Sequence, residues 1–168
     1  MEARNFISAR EMVEKGNWLI PTLNDRIRIR KPPLPTWITA GSLLLFDKKY
    51  DLYALRLPAA LMGVLAIIFL FGFTRDLTEN SQQAFYASAI LASSFLFVDE
   101  TRTGSWDIYS TVFMLGGVWF LWKSLNAPGI KNWFIAGVFM ALSFMSKGPV
   151  AHYALLLPFV ISALLIRH

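Results

Sequence analysis

The sequence predicts an all-α, polytopic membrane protein of about five spans, preceded by a loop that carries two juxtamembrane amphipathic helices. Three observations carry this prediction. Of 168 residues, 55% are hydrophobic, 15% aromatic and 16% charged, whereas an average soluble domain has about 25% charged residues. Ten of the sixteen Lys and Arg lie in residues 1–56. The remainder of the chain falls into five stretches free of charged side chains: Leu57–Thr74, Asn80–Val98, Ile108–Trp122, Asn132–Ser146 and Gly148–Ile166. Five consecutive helices that are apolar on all faces leave a soluble protein no polar surface to show to water. The composition therefore excludes a soluble globular enzyme, a disordered tail and a disulfide-rich secreted domain. Cysteine is absent, which removes disulfides, thiolate metal sites and a cysteine nucleophile. A net charge of +5 in so apolar a chain points to anionic membrane lipids or a phosphate-bearing substrate, and not to nucleic acid.

Residues 1–56 read as one extramembrane segment. Ala3, Phe6, Ile7 and Val13 fall at helical spacing, and Gly16 follows Lys15 as a C-cap. Trp18-Leu19-Ile20-Pro21 is apolar enough for the membrane interface. After an Asn24-Asp25 turn, Arg26-Ile27-Arg28-Ile29-Arg30 alternates strictly and reads as a short strand or an extended loop. Lys31-Pro32-Pro33-Leu34-Pro35 is stiff and unsuited to a helix interior. Leu34–Phe46 then forms an apolar piece of 13 residues, interfacial and too short to span.

The bundle occupies residues 57–168. A spanning helix takes roughly 20 apolar residues. The third and fourth stretches reach that length if Trp106, Trp119, Trp122 and Trp133 sit in the head-group layer. Residues 75–79, 99–107, 123–131 (with the Asn126-Ala127-Pro128-Gly129 breaker) and 146–149 make short turns, so neighbouring spans run antiparallel. Alternation puts residues 1–56, 99–107 and 146–149 on one side, and residues 75–79, 123–131 and Arg167–His168 on the other. Counting Lys48, Lys49 and Arg56 with the first side leaves the positive charges nearly even, so charge alone does not orient the chain. Gly116-Gly117, and Gly137 with Ala141, are placed to let helices approach closely. No signal peptide opens the chain, since Glu2 follows Met1 with no apolar run. A basic loop at the start of a membrane protein reads as one whose preceding span is missing, and hence as a fragment cut at both ends.

Few side chains offer chemistry. Lys31 ends a basic run; it is either a phosphate ligand or part of a polybasic patch facing anionic lipids. Asp107 opens a span, as a helix cap or as a functional carboxylate. Lys147 sits in a turn too tight to wander, either snorkelling to head groups or holding a lipid phosphate. Arg26, Arg28 and Arg30 read as lipid-attracting charge, and Asp99 and Glu100 as solvated loop charges. His152 reads as a satisfied bundle histidine, because two histidines without partner spacing make no metal site. No cofactor is identified, and metal dependence is left open.

One family is recognisable. Glu2-Ala3-Arg4, Ala9-Arg10-Glu11-Met12, Gly16-Asn17-Trp18-Leu19-Ile20-Pro21, Leu23-Asn24, Lys31-Pro32-Pro33, Trp37 and Thr39-Ala40 resemble, in this order, the first extracytoplasmic loop of certain GT-C glycosyltransferases. These are the enzymes of the protein O-mannosyltransferase and aminoarabinose (lipid A) transferase type, glycosyltransferase family 39. Arg56-Leu57-Pro58-Ala59-Ala60, Asp107 and Ser146-Lys147-Gly148-Pro149 extend the resemblance over the whole chain. It implies an inverting enzyme of the bacterial inner membrane that moves a sugar from a polyprenyl-phosphate carrier to an acceptor (lipid A, protein or glycan) on the periplasmic side. It implies that residues 1–56, 99–107 and 146–149 face that side, and that this chain covers about the second to sixth of roughly a dozen spans. By the same resemblance, Glu2 and Asp107 belong to the catalytic machinery, and Arg4, Lys31 and Lys147 bind the lipid phosphate. The family's loop reads Asp-Glu where this chain has Met1-Glu2, so the acidic residue assigned to catalysis is missing and the fragment alone is expected to be inactive. The residues by themselves also admit a non-enzymatic membrane module for lipid binding, transport or assembly, or a truncated inactive copy.

Overall fold

The first element is helix α1, Glu2–Lys15, in a computed structural model that describes residues 2–46, 51–127 and 129–167, without the side chains of Glu2, Ile166 and Arg167. The expectations attached to Met1, to Lys48 and Lys49 as flanking charges, to Pro128 in its turn and to His168 at the end lie outside the described residues. Gly16, at φ +71, closes α1 by donating its N–H to Met12 O at 3.0 Å, a left-handed cap that glycine adopts without a Cβ clash. The buried face of α1 is not the one set by Ala3, Ile7 and Val13: it consists of Asn5, Phe6, Ser8, Ala9, Glu11 and Met12. Phe6, Ala9 and Met12 pack on Ala40 and Leu43 of helix α2 (Leu34–Phe46) and on Ala54 and Leu55. The polar members are tolerated because they find partners. Asn5 donates to Thr39 Oγ1 at 3.1 Å and accepts from Thr36 Oγ1 at 2.9 Å. The Glu11 carboxylate accepts from the Asn24 backbone N–H at 2.7 Å and from the Thr22 hydroxyl.

Those last bonds fasten a small hairpin to α1. Strand β1 (Thr22–Leu23) pairs antiparallel with β2 (Arg26–Ile27), Thr22 opposite Ile27. Asn24 and Asp25 both take positive φ, +52° and +64°, the geometry of a two-residue turn whose twist suits a hairpin. The alternating arginines thus begin as a strand and continue as loop.

Helix α3 (Leu52–Thr78) contains Pro58. A proline cannot donate to the carbonyl four residues back, and Ser42 of α2 supplies the missing bond, its Oγ 2.6 Å from Ala54 O. This ties α2 to α3. Leu55, Ala59, Met62, Ala66 and Phe69 of α3 are buried, while Leu57, Leu61, Val64 and Ile68 are exposed; a helix apolar on both faces belongs in lipid. The stretch 80–98 is built as two helices, α4 (Ser81–Ser93) and α5 (Phe95–Arg102), broken at Ser94. There Ser93 Oγ bonds Ile90 O at 3.1 Å, a local side-chain bond of the kind that interrupts helices.

Helix α6 (Trp106–Asn126) is the central element. Its Ile108, Tyr109, Val112 and Phe113 meet the α3 stripe, and Met114 and Val118 meet Ala151. Helix α7 (Ile130–Lys147) runs back along it. A Cβ on Gly116 would lie 2.7 Å from the Phe69 ring and one on Gly117 3.0 Å from Met140 Cγ, whereas Gly137 has nothing within 4 Å. The close approach expected of small residues therefore occurs at the first pair and not at Gly137. The chain ends in a π-helical turn, His152–Leu156, and helix α8 (Leu157–Arg167). The wide turn ends two residues before Pro158, which has no N–H to continue the ladder. Among the described residues, two helices are long and apolar enough to cross a membrane, Leu52–Thr78 and Trp106–Asn126.

Candidate active site

A pair of buried serines sets the register of α6 against α7. Ser143 Oγ donates to Ser110 O at 2.7 Å, and the two hydroxyl oxygens lie 3.3 Å apart. Since the helices are antiparallel, stepping three residues back from Ser110 reaches Asp107, and stepping four residues on from Ser143 reaches Lys147. These two form an ion pair. Each stands at the helix end whose dipole favours it, Asp107 in the first turn of α6 and Lys147 in the last turn of α7. Asp107 does not cap its helix. Ser105 does, its hydroxyl accepting from the Asp107 N–H at 3.2 Å, while the same Oγ lies 3.2 Å from Asp107 Oδ2. The Asp107 side chain is 41% exposed and that of Lys147 26%, so a ligand has access to both.

Beside them lies Trp106, only 3% exposed. Lys31 Nζ stands 4.2 Å and Arg28 Cζ 5.1 Å from its ring centroid, within cation–π range. Arg28 Nη1 also donates to the backbone oxygen of Arg4 at 3.3 Å, joining the hairpin to α1. Gly104, at φ +62, lets α1 come close here: a Cβ on it would lie 2.9 Å from the Phe6 ring. Burial, and then the charges of Lys147, Arg28 and Arg4, pull the Lys31 ammonium below the ordinary lysine range. Burial, Arg4 and Arg30 lower Arg28 likewise. Cations gathered in a partly buried site can attract an anion.

The structure thus brings together Arg4, Lys31, Asp107 and Lys147, four of the five residues singled out from sequence. Glu2 begins the same helix as Arg4, but its side chain lies outside the described residues. Sequence reasoning missed Arg28 as a member of the site, because Arg26, Arg28 and Arg30 look alike in an alternating run and only the hairpin's docking separates them. Trp106 was legible only as an interfacial aromatic. Glu100 is no solvated loop charge. It lies on α5 with Oε2 buried, and with Asp107 it lines a cavity of about 420 Å³ whose walls include Ala66, Leu91, Phe97, Val112 and Leu115. His152 packs edge-on to Phe144, and its Nδ1 has no hydrogen-bond partner among the described residues. No group of three or more His, Cys, Asp or Glu that could hold a metal occurs among the described residues. Chemically, the site offers an anion receptor with one carboxylate at its edge, next to an apolar cavity.

Known proteins share this architecture. An undecaprenyl phosphate-alpha-4-amino-4-deoxy-L-arabinose arabinosyl transferase of Proteus mirabilis is 29% identical over 167 residues, which is 97% of this chain and 30% of that protein. The crystal structures of ArnT from Cupriavidus metallidurans match at 22% identity over 99% of this chain. The apo form has a TM-score of 0.85 and the form bound to undecaprenyl phosphate 0.87, with 32% and 31% of their own chains covered. This chain therefore has the helical membrane fold of those structures and spans less than a third of the length of each of these relatives. The family model described as dolichyl-phosphate-mannose-protein mannosyltransferase matches residues 30–168. That span carries Lys31, Asp107 and Lys147, and by it the chain belongs to the dolichyl-phosphate-mannose-protein mannosyltransferase family.

Proposed function

We propose that this chain forms part of an integral-membrane glycosyltransferase that moves a sugar from a polyprenyl-phosphate carrier to a periplasmic acceptor. The observation that carries the reading is the convergence of Arg4, Arg28, Lys31 and Lys147 on one end of the α6–α7 pair, beside Asp107. Membership of a mannosyltransferase family and likeness to a structure bound to undecaprenyl phosphate support it.

The chemistry is a single inverting displacement at the anomeric carbon. The acceptor oxygen forms a bond to that carbon while the bond from the carbon to the phosphate oxygen breaks, and its electron pair leaves on the lipid phosphate. Cations around the phosphate stabilise the charge that grows there in the transition state. Lys31, Lys147 and Arg4 take this role. The acceptor's proton passes to a carboxylate, the role of Asp107; the family resemblance assigns Glu2 to the same machinery. Lys147, ion-paired with Asp107, holds it in place until substrate arrives.

Replacing Lys31 and Lys147 by alanine in the full-length protein tests the reading. Transfer from a polyprenyl-phosphate sugar should fall by about 100-fold or more, the usual scale for a transition-state charge contact, with thermal unfolding in detergent unchanged. Full turnover in the double variant refutes the assignment and favours a non-enzymatic lipid-binding or assembly module.

The same reading makes the chain a five-span segment of the bacterial inner membrane, with residues 57–74, 80–98, 108–122, 132–146 and 148–166 crossing it and residues 1–56 outside the cytoplasm. The exposed apolar faces of α3, α4, α7 and α8 support this. Lys31→Cys, Asp107→Cys and Lys147→Cys variants of the full-length protein should each react in intact cells with a membrane-impermeant thiol reagent. Labelling of any of them only after the membrane is opened defeats this topology.

A further inference from the structure

Trp106 is anomalous in its bonding. A buried indole N–H ordinarily finds an acceptor, yet Trp106 Nε1 is buried and has no hydrogen-bond partner among the described residues. The described residues around it do not supply one. Lys31 and Arg28, the cations against its ring, are donors only. Asp107, its chain neighbour, is engaged by Lys147 and Ser105. By contrast Trp119, near the other end of the same helix, donates its indole N–H to Asp76 Oδ2 at 2.8 Å. Trp106 lacks an acceptor among the described residues, and its flanking cations select a negatively charged one.

We propose that the Trp106 indole N–H donates to a non-bridging oxygen of the lipid phosphate, so that Trp106, gripped by Lys31 and Arg28, is itself an anion-binding residue of this site. The inference rests on the transferase reading and adds to it a residue that acts through a hydrogen bond and not through charge. The neighbouring ammonium and guanidinium neutralise the phosphate, and the rigid indole fixes where one of its oxygens lies. Trp106 also orders the two cations before ligand arrives, since a flat ring in a packed position holds them within cation–π range.

The test uses the full-length protein in nanodiscs and three probes: undecaprenyl phosphate, the neutral undecaprenol, and phosphatidylglycerol. The indole ¹⁵N–¹H resonance of Trp106, identified by its loss in Trp106→Phe, should move downfield with undecaprenyl phosphate and stay in place with undecaprenol. Trp106→Phe keeps the ring that holds the cations and removes the donor. Its dissociation constant for undecaprenyl phosphate should rise about tenfold or more, the scale for losing one bond to a charged group, while its affinity for undecaprenol is unchanged. If Trp106→Phe does not fold, the resonance shift decides, with the lost signal assigned by Trp106→Tyr instead. If the unsubstituted protein binds undecaprenyl phosphate but the indole resonance does not move, or the Phe variant binds as tightly, the inference is wrong and the transferase reading stands. An equal shift with phosphatidylglycerol makes the site a general lipid head-group contact and overturns the inference. If the unsubstituted protein binds no undecaprenyl phosphate, the transferase reading fails and the inference fails with it.

Discussion

Near the C-terminal end of α6, Trp119 donates to Asp76, Lys123 lies 3.3 Å from the same carboxylate and 4.1 Å from the Trp119 ring, and Trp122 Nε1 reaches Asp76 O at 3.4 Å. At the N-terminal end the same three residue types recur as Trp106, Asp107 and the lysines 31 and 147, but in another arrangement. There the carboxylate turns to a lysine and a serine, the indole N–H has no described acceptor, and Arg28, Lys31 and Arg4 stand close by as further cations. The first set satisfies itself and acts as a lock between α3 and α6. The second leaves a buried donor without an acceptor among the described residues. The difference teaches that composition does not separate a structural cluster from a binding one; the presence of unmet donors does.

Substitutions at the two carboxylates should break this comparison in opposite directions. Asp107→Asn should reduce glycosyl transfer in the full-length protein by about 100-fold or more, the scale of general-base loss, with little effect on the unfolding temperature. Equal turnover in this variant removes Asp107 from the chemistry. Asp76→Ala should leave the turnover number near that of the parent and lower stability by about 1 kcal/mol, because the partly buried Trp119 indole then loses its acceptor; unfolding in detergent reads this directly. A large loss of turnover together with unchanged unfolding would erase the distinction between the two ends.

The smallest expected effect is on pH dependence. Lys31 is held below the ordinary lysine range, so in the folded protein it loses its proton earlier than in the unfolded chain. Its charge therefore costs stability at neutral pH, and that cost disappears as pH rises through the lowered value. Anion binding follows the opposite course, since the phosphate needs the charged form. Affinity for undecaprenyl phosphate, measured against pH, should begin to fall below the range where an ordinary lysine titrates. Lys31→Arg should shift the fall to higher pH, because guanidinium stays charged. Identical profiles for the two proteins would show that Lys31 is not the titrating group.

Much of the fold was legible in the chain. Gly16, Asn24-Asp25 and the prolines at 32, 33 and 35 punctuate the first segment through local backbone preferences, and the structure places its turns and helix ends there. The buried face of α1 was not legible, because Asn5, Ser8 and Glu11 are polar and become interior only where Thr36, Thr39 and the hairpin meet them. The break at Ser94 was likewise hidden in a run that hydropathy reads as continuous. At the site, ordered motifs pointed to Lys31, Asp107 and Lys147, whereas Glu100 and Trp106 carried no sequence pattern that set them apart.

By itself the sequence determined that this is a helical membrane chain with a basic, proline-stiffened segment ahead of apolar stretches. Those properties follow from side-chain transfer energies and local dihedral limits, which act residue by residue. Only the tertiary structure decided which charges meet. Ser110 and Ser143 fix the register that pairs Asp107 with Lys147, Ser42 closes the gap that Pro58 leaves, and Glu11 holds the hairpin that carries Arg28 and Lys31 toward Trp106. These partners lie a dozen residues or more apart in the chain, and their meeting depends on helix register and close packing, quantities that no local preference encodes.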